Sequence, residues 1–257
     1  MRKLPVLQIT KDAYNFIFTD AKKILPMFAQ YSTSMLLLYI FLHLIKDHWT
    51  YTVGAAPSAS TALILLAFGL LTIFLQMPMY ISMVRATATQ EMVGKDYFNL
   101  LLVSRTRKAF FTMLAVSGLS IVGVSLAGAL IFVPLHFFFA SYLQDNPILL
   151  TVELLAILIA TFYVFFRLFL AIPSVALDSG KPIRDSWKIS KGCVIRILGI
   201  FLLTCLPSIA WASIVNFLFN VSFQTNPLAY GFLTLPQLYL GLVLYAGLGL
   251  VYKHFSK

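Results

Sequence analysis

One base sits inside an otherwise apolar stretch. Arg167 falls in the run 148–177, most of whose side chains are hydrocarbon. A guanidinium there needs a hydrogen-bonded partner or a path to water, because at a bilayer centre its charge costs about 2.5–3.5 kcal/mol. Counted from Leu149 at about 1.5 Å per residue, it lies about 27 Å along a helix, close to a headgroup layer. Two uses fit that depth. A snorkelling or structurally paired arginine is one, and lysine would replace a snorkelling base with little effect. A two-pronged contact to a phosphate or carboxylate is the other, and lysine cannot copy that planar fork. Further on, Trp187, Lys188, Lys191 and Arg196 bring a ring and three bases into one short segment. Arg167, Trp187, Lys188, Lys191 and Arg196 are therefore the candidate lipid or substrate contacts.

Other groups offer weaker chemistry. His43, Asp47, His48, His136, Asp145 and Glu153 gather at the opposite ends of the apolar runs. Imidazole and carboxylate ligands suit zinc, but no pair has strong metal-binding spacing, and polar residues are ordinary at a helix end. Trp49, Tyr51 and Tyr142 nearby read as interface anchors. Cys193 and Cys205 lie on one helix, too far apart to bridge, and read as packing residues. Asn220-Val221-Ser222 matches a glycosylation sequon, but it adjoins the membrane. Pro78, Pro173 and Pro236 interrupt the second, fourth and sixth runs. Transporters use such breaks to expose backbone at a site, and buried kinks produce the same pattern. No P-loop, GxGxxG, GxSxG or HExxH is present, so neither an enzyme nor a cofactor is expected.

The elements that position these residues follow from composition. The chain has 257 residues, 60% apolar and 11% charged, with a mean hydropathy of +0.89. Soluble domains carry about 25% charged residues, so this chain cannot coat a globule in water. A bilayer core about 30 Å thick takes about 20 apolar residues as a helix. Six runs reach that length: 25–45, 59–84, 110–142, 148–177, 194–218 and 228–252. Period-2 alternation is absent, which excludes a membrane barrel. The expected fold is all-α with six transmembrane helices. Gly118, Gly123, Gly128, Gly241, Gly247 and Gly249 read as close-packing positions between them.

Charge placement sets orientation and partners. Of 19 Lys and Arg residues, Lys46 alone lies on one side and Arg167 alone lies within a span. Basic loops resist translocation, so both termini are expected in the cytoplasm. The net charge of +10 then faces anionic lipid headgroups, at about 1 kcal/mol per well-placed base. The bilayer is the expected partner, with a second membrane protein or another copy of the chain as further candidates, and nucleic acid is excluded. The first apolar run is too long for a cleavable signal and reads as a retained anchor.

The three basic segments align. Lys11-Asp12-Ala13-Tyr14, Lys95-Asp96-Tyr97-Phe98 and Arg184-Asp185-Ser186-Trp187 precede the odd-numbered spans, and Lys23, Arg107 and Arg196 each follow 11 residues after the aspartate. Tyr14, Ile17, Phe18, Ala21 and Ile24 follow helical spacing, as do Ile183, Trp187 and Ser190, so each segment reads as an amphipathic helix in the headgroup plane. The unit would be one interfacial helix plus a two-span hairpin, repeated over 8–84, 92–177 and 181–252. Any three basic segments beside a membrane could share these residue types by chance. Mitochondrial carriers also join six spans in three repeats, but His43 to Asp47, Pro134 to His136 and Asn216 to Leu218 do not carry their proline, acid and base signature.

Three further strings carry a family resemblance: Arg167-Leu168-Phe169-Leu170-Ala171-Ile172-Pro173, Leu177-Asp178-Ser179-Gly180, and Asp185-Ser186-Trp187-Lys188-Ile189-Ser190-Lys191-Gly192. Together they resemble the YciC-type bacterial inner-membrane proteins. They are also similar to the membrane domain joined to some glycerophosphodiester phosphodiesterases. Pro78-Met79-Tyr80 through Gly94 to Phe98 resembles the same family's second-span exit. The resemblance implies six spans in the bacterial cytoplasmic membrane and a role in envelope or lipid homeostasis. It supplies no catalytic residue, and the phosphodiesterase domain is absent. A non-catalytic lipid or envelope protein is thus expected, with a small-solute or lipid transporter as the rival.

Overall fold

The computed structural model describes residues 4–45, 58–91, 96–144, 147–178, 180, 182–219 and 226–256. Among these there is no strand. Eleven helices follow in chain order: α1 (Val6–Thr19), α2 (Ala21–Leu44), α3 (Ala59–Thr89), α4 (Tyr97–Leu102), α5 (Ser104–Gln144), α6 (Pro147–Phe169), α7 (Ala171–Ala176), α8 (Pro182–Ile189), α9 (Val194–Phe219), α10 (Pro227–Leu233) and α11 (Leu235–Ser256). Six stretches are long and apolar enough to cross a membrane: Ala21–Leu44, Ala59–Thr89, Ser104–Leu126, Leu155–Ala176, Val194–Phe219 and Leu235–Phe255. Many of their outer side chains have no protein neighbour to cover them, including Ile195, Phe217, Ile121 and Leu126. Hydrocarbon left bare to that extent belongs against lipid.

The prolines act differently from one another. Pro78 lies inside an unbroken α3, so the second span is not interrupted. The fourth span does break, at Leu170, between α6 and α7. The sixth breaks at Thr234, between α10 and α11. Pro173 and Pro236 lack the N–H that would bond the carbonyls of Phe169 and Phe232, and each break falls between such a carbonyl and its proline. Side chains occupy backbone near Pro236 and at Pro207, a proline inside the unbroken α9. Trp211 Nε1 donates to the Leu233 carbonyl at 2.7 Å. Pro207 removes the intrahelical donor for Leu203, and the Tyr14 hydroxyl donates to that carbonyl instead, at 3.0 Å. Tyr14→Phe should therefore cost about 1 kcal/mol. In a Pro207→Ala background, where a backbone N–H is restored, the same change should cost clearly less. Thermal unfolding of the four proteins in one detergent measures the coupling, and an equal cost in both backgrounds would discard the account.

α11 is the centre of the bundle, packed on α3, α9 and α1. One core cluster joins Phe166, Leu170, Ile172, Ile197, Ile200 and Leu248. The other joins Ile17, Met27, Tyr31, Met79, Tyr97 and Leu242. The three helices that carry or follow the aligned aspartates lean on the segment that precedes them, with α1 closing the circle: α4 on α3, α8 on α7 and α6, and α1 on α11. Asp12 is the seventh residue of α1, Asp96 caps α4, and Asp185 is the fourth residue of α8. Counted towards the following long helix, they lie nine, eight and nine residues before Ala21, Ser104 and Val194. The amphipathic faces differ from the sequence expectation. α1 buries Ile9, Thr10, Ala13 and Ile17 between its neighbours while Phe18 is exposed. α8 turns Ser186 and Ser190 inward and leaves Ile183 and Trp187 partly exposed. The inward face of α1 joins both apolar core clusters, while Ser186 and Ser190 meet a backbone carbonyl of α6.

Candidate functional site

The site is built where α8 folds back on the end of α6. Asp185 stands in the first turn of α8 and Lys188 in its last, an arrangement that complements the helix dipole. The chain then turns through Gly192, whose φ of 76° is a backbone state glycine adopts without penalty, and α9 begins at Val194. Arg167 faces α8 two residues before α6 ends, and only 9% of it is exposed. Its Nη2 donates to the Trp187 carbonyl at 2.5 Å, and its Nε reaches Ser190 Oγ at 3.4 Å. Its guanidinium lies 4.0 Å from the centre of the Trp187 ring. In the other direction, Ser186 Oγ and Ser190 Oγ donate to the Arg167 carbonyl at 2.7 and 3.0 Å. Both polar ends of Arg167, backbone and side chain, thus bind α8. Arg167 is a paired residue holding one helix on another, and it does not merely snorkel.

The other candidates separate. Trp187 is 43% exposed, one ring face covered by Arg167. Lys188 and Lys191 are exposed, and Arg196 is half-buried in the first turn of α9. Arg167 and Trp187 therefore form one unit, while the three other bases flank it.

A second charged cluster escaped the sequence reading. Asp178 follows α7 with a φ of 61°, a left-handed state that aspartate tolerates. Arg105 of α5 grips its carboxylate with two prongs, Nε to Oδ1 at 2.9 Å and Nη2 to Oδ2 at 2.5 Å. Arg85 of α3 reaches Oδ2 at 3.2 Å and the Ala176 carbonyl at 3.2 Å, and also pairs with Glu91. One carboxylate so ties the ends of three long segments. The hydrogen bonds from Arg105, with its charge and that of Arg85, hold the Asp178 carboxyl below the usual carboxylate range. A depressed folded-state value means the contribution is present above the unfolded-state pKa of about 3.9 and is lost as pH falls through the folded value. Asp178 is more than half exposed, so the effect is modest, near the 0–1 kcal/mol of surface pairs. Asp178→Asn should lower the melting temperature slightly at pH 7 and make no difference once wild type is acidified below that window. A constant gap from pH 7 to pH 3 would show that the charge is not the cause.

Neither cluster sets a nucleophile beside a general base, and the two carboxylates of the second, Asp178 and Glu91, are both taken up by arginine. What the geometry can do is hold α8 in place and present positive charge beside an apolar surface. Among the described residues no group of three or more His, Cys, Asp or Glu could hold a metal ion. Asp47, His48, Asp145 and the sequon at Asn220 lie outside the described residues, as do the side chains of His136 and Glu153.

The chain matches no protein-family model, no curated protein and no solved structure. Its class rests on its own architecture: an all-helical, multi-pass integral membrane protein.

Proposed function

We propose that this chain is a non-catalytic protein of the bacterial inner membrane, acting in envelope or lipid homeostasis through the helices on its basic face. The observation that carries the reading is the Arg167 clasp, which spends a buried guanidinium on fixing α8 and Trp187 among the bases Lys188, Lys191 and Arg196. The resemblance to YciC-type proteins supports it, as do the three short helices, which we read as one repeated unit with a two-span hairpin. Both termini would face the cytoplasm, and anionic headgroups would be the principal partner, with another membrane protein or a second copy also accommodated.

The rival is a small-solute or lipid transporter, favoured by the breaks at Leu170 and Thr234. Against it, carbonyls beside the proline sites are taken up by Tyr14 and Trp211 within the protein, and Gln30 and Gln76 accept from Tyr97 and Tyr245. Those contacts occupy two backbone carbonyls and two amide side chains that a solute would otherwise use. Reconstitution separates the readings: vesicles containing the protein should show no solute leak or lipid flip above empty vesicles, while the purified protein retains anionic phospholipid. Transport above background would replace this proposal with the rival. Reporter fusions test orientation. Those at Asp47, Gln144 and Gln224 should read external, and those at Gly94, Gly180 and the C-terminus cytoplasmic.

A further inference from the structure

We propose that the groove between α8 and the end of α6 seats one anionic diacyl phospholipid. The groove is lined by Leu168, Pro182, Ile183, Arg184, Trp187 and Lys188. Leu168 is buried and forms its floor, while Ile183 and Trp187 are 36% and 43% exposed. On a helix, residues four apart share a face. Ile183 and Trp187 therefore make one apolar stripe, and Arg184 and Lys188 make a basic stripe beside it. Arg184 and Lys188 line the groove with their methylene stems, which leaves the charged ends free to meet a phosphate at its edge. An acyl chain along Leu168, Ile183 and Trp187 with its phosphate at Arg184 and Lys188 satisfies both stripes at once. A zwitterionic lipid brings the same phosphate with a cation beside it, so its headgroup gains little from the basic stripe. Arg167 does not touch this ligand: it is a positioning residue, stacked at 4.0 Å on the Trp187 ring and bonded to the Trp187 carbonyl. The groove is thereby set before any lipid arrives, which lowers the ordering cost of binding.

The inference rests on the lipid reading above, and one experiment distinguishes their failures. Native mass spectrometry of the purified full chain would follow titration with phosphatidylglycerol and, separately, with phosphatidylcholine of the same acyl chains. The exposed bases can be changed without disturbing the clasp. Arg184→Gln with Lys188→Gln should weaken phosphatidylglycerol binding by about fivefold for each base and leave phosphatidylcholine unchanged. Lys11→Gln with Lys22→Gln, exposed bases on other helices, should leave both affinities alone. Inorganic phosphate at matching concentration should not compete. Equal losses in the two double variants would replace the groove with a diffuse basic belt and leave the lipid reading standing. Effective competition by inorganic phosphate would overturn the lipid as occupant. Wild type binding both lipids equally would overturn the groove and the lipid reading together.

Discussion

Arg167→Leu is expected to destabilise the protein by about 3 kcal/mol, the scale of a charged hydrogen bond of about 1.5–3 kcal/mol joined to a stacked cation worth up to about 2. Leucine would suit the apolar span itself. The loss arises across the interface, where the Trp187 carbonyl and ring lose the guanidinium and the Ser190 hydroxyl keeps only its bonds to backbone carbonyls. Arg167→Lys should recover only part of it. An ammonium can reach one acceptor, but it cannot stack flat on Trp187 while also reaching Ser190. Thermal unfolding in one detergent should rank wild type above lysine and lysine above leucine. Amide exchange across α8 should quicken in the same order, because α8 is short and Arg167 is its polar tie to α6. A lysine variant matching wild type in both measurements would return Arg167 to simple snorkelling. Retained lipid is a separate readout: it should fall with α8's order, while the selectivity proposed for Arg184 and Lys188 stays unchanged.

Arg167 was visible in the sequence because a charge in an apolar run is costly wherever it sits. Its partners were not. Ser186 and Ser190 could cap, bend or face solvent, and only the packing of α8 on α6 shows that both donate to one carbonyl. Asp178 stood in the sequence only as part of the string 177–180. Its two arginines come from segments 93 and 73 residues earlier, and nothing local in the sequence links them. The spans were legible because bilayer thickness imposes a length, yet their basic ends were drawn too short. Helical hydrogen bonding continues through Lys22 and Lys23 in α2, and through Arg105, Arg107 and Lys108 in α5, although hydropathy has already fallen. Proline announced which backbone donors were missing. Which side chain takes up each freed carbonyl is a tertiary fact, as Tyr14 on Leu203 illustrates.

Glycine shows the same division between pattern and packing, and it yields the other large effect expected. Six glycines read alike as close-packing positions, but only some meet a neighbour. A Cβ at Gly118, Gly123 or Gly241 would find nothing within 4 Å, and one at Gly247 would make ordinary contact with Thr204 at 3.4 Å. At Gly249 the Cβ would collide with Thr87 Oγ1 and lie 2.8 Å from the Val84 carbonyl oxygen and 3.0 Å from Val84 Cα. Thr87 cannot simply swing aside, since its hydroxyl is bonded to the Met83 and Val84 carbonyls at 2.8 and 3.2 Å. Val84 presents backbone, so α3 and α11 would have to separate. Overpacking of that kind costs about 1–3 kcal/mol, and the upper end is expected for Gly249→Ala because the central helix pair must move. Thr87→Ala added to it should restore only part of the loss, because the Val84 contact remains. Gly118→Ala and Gly123→Ala should be neutral or slightly stabilising, since alanine is the better helix former by up to about 1 kcal/mol. Unfolding temperatures of the five proteins in one detergent decide the matter. If Gly249→Ala melts with wild type, or Gly118→Ala falls as far as it does, the α3–α11 contact is not the close approach described.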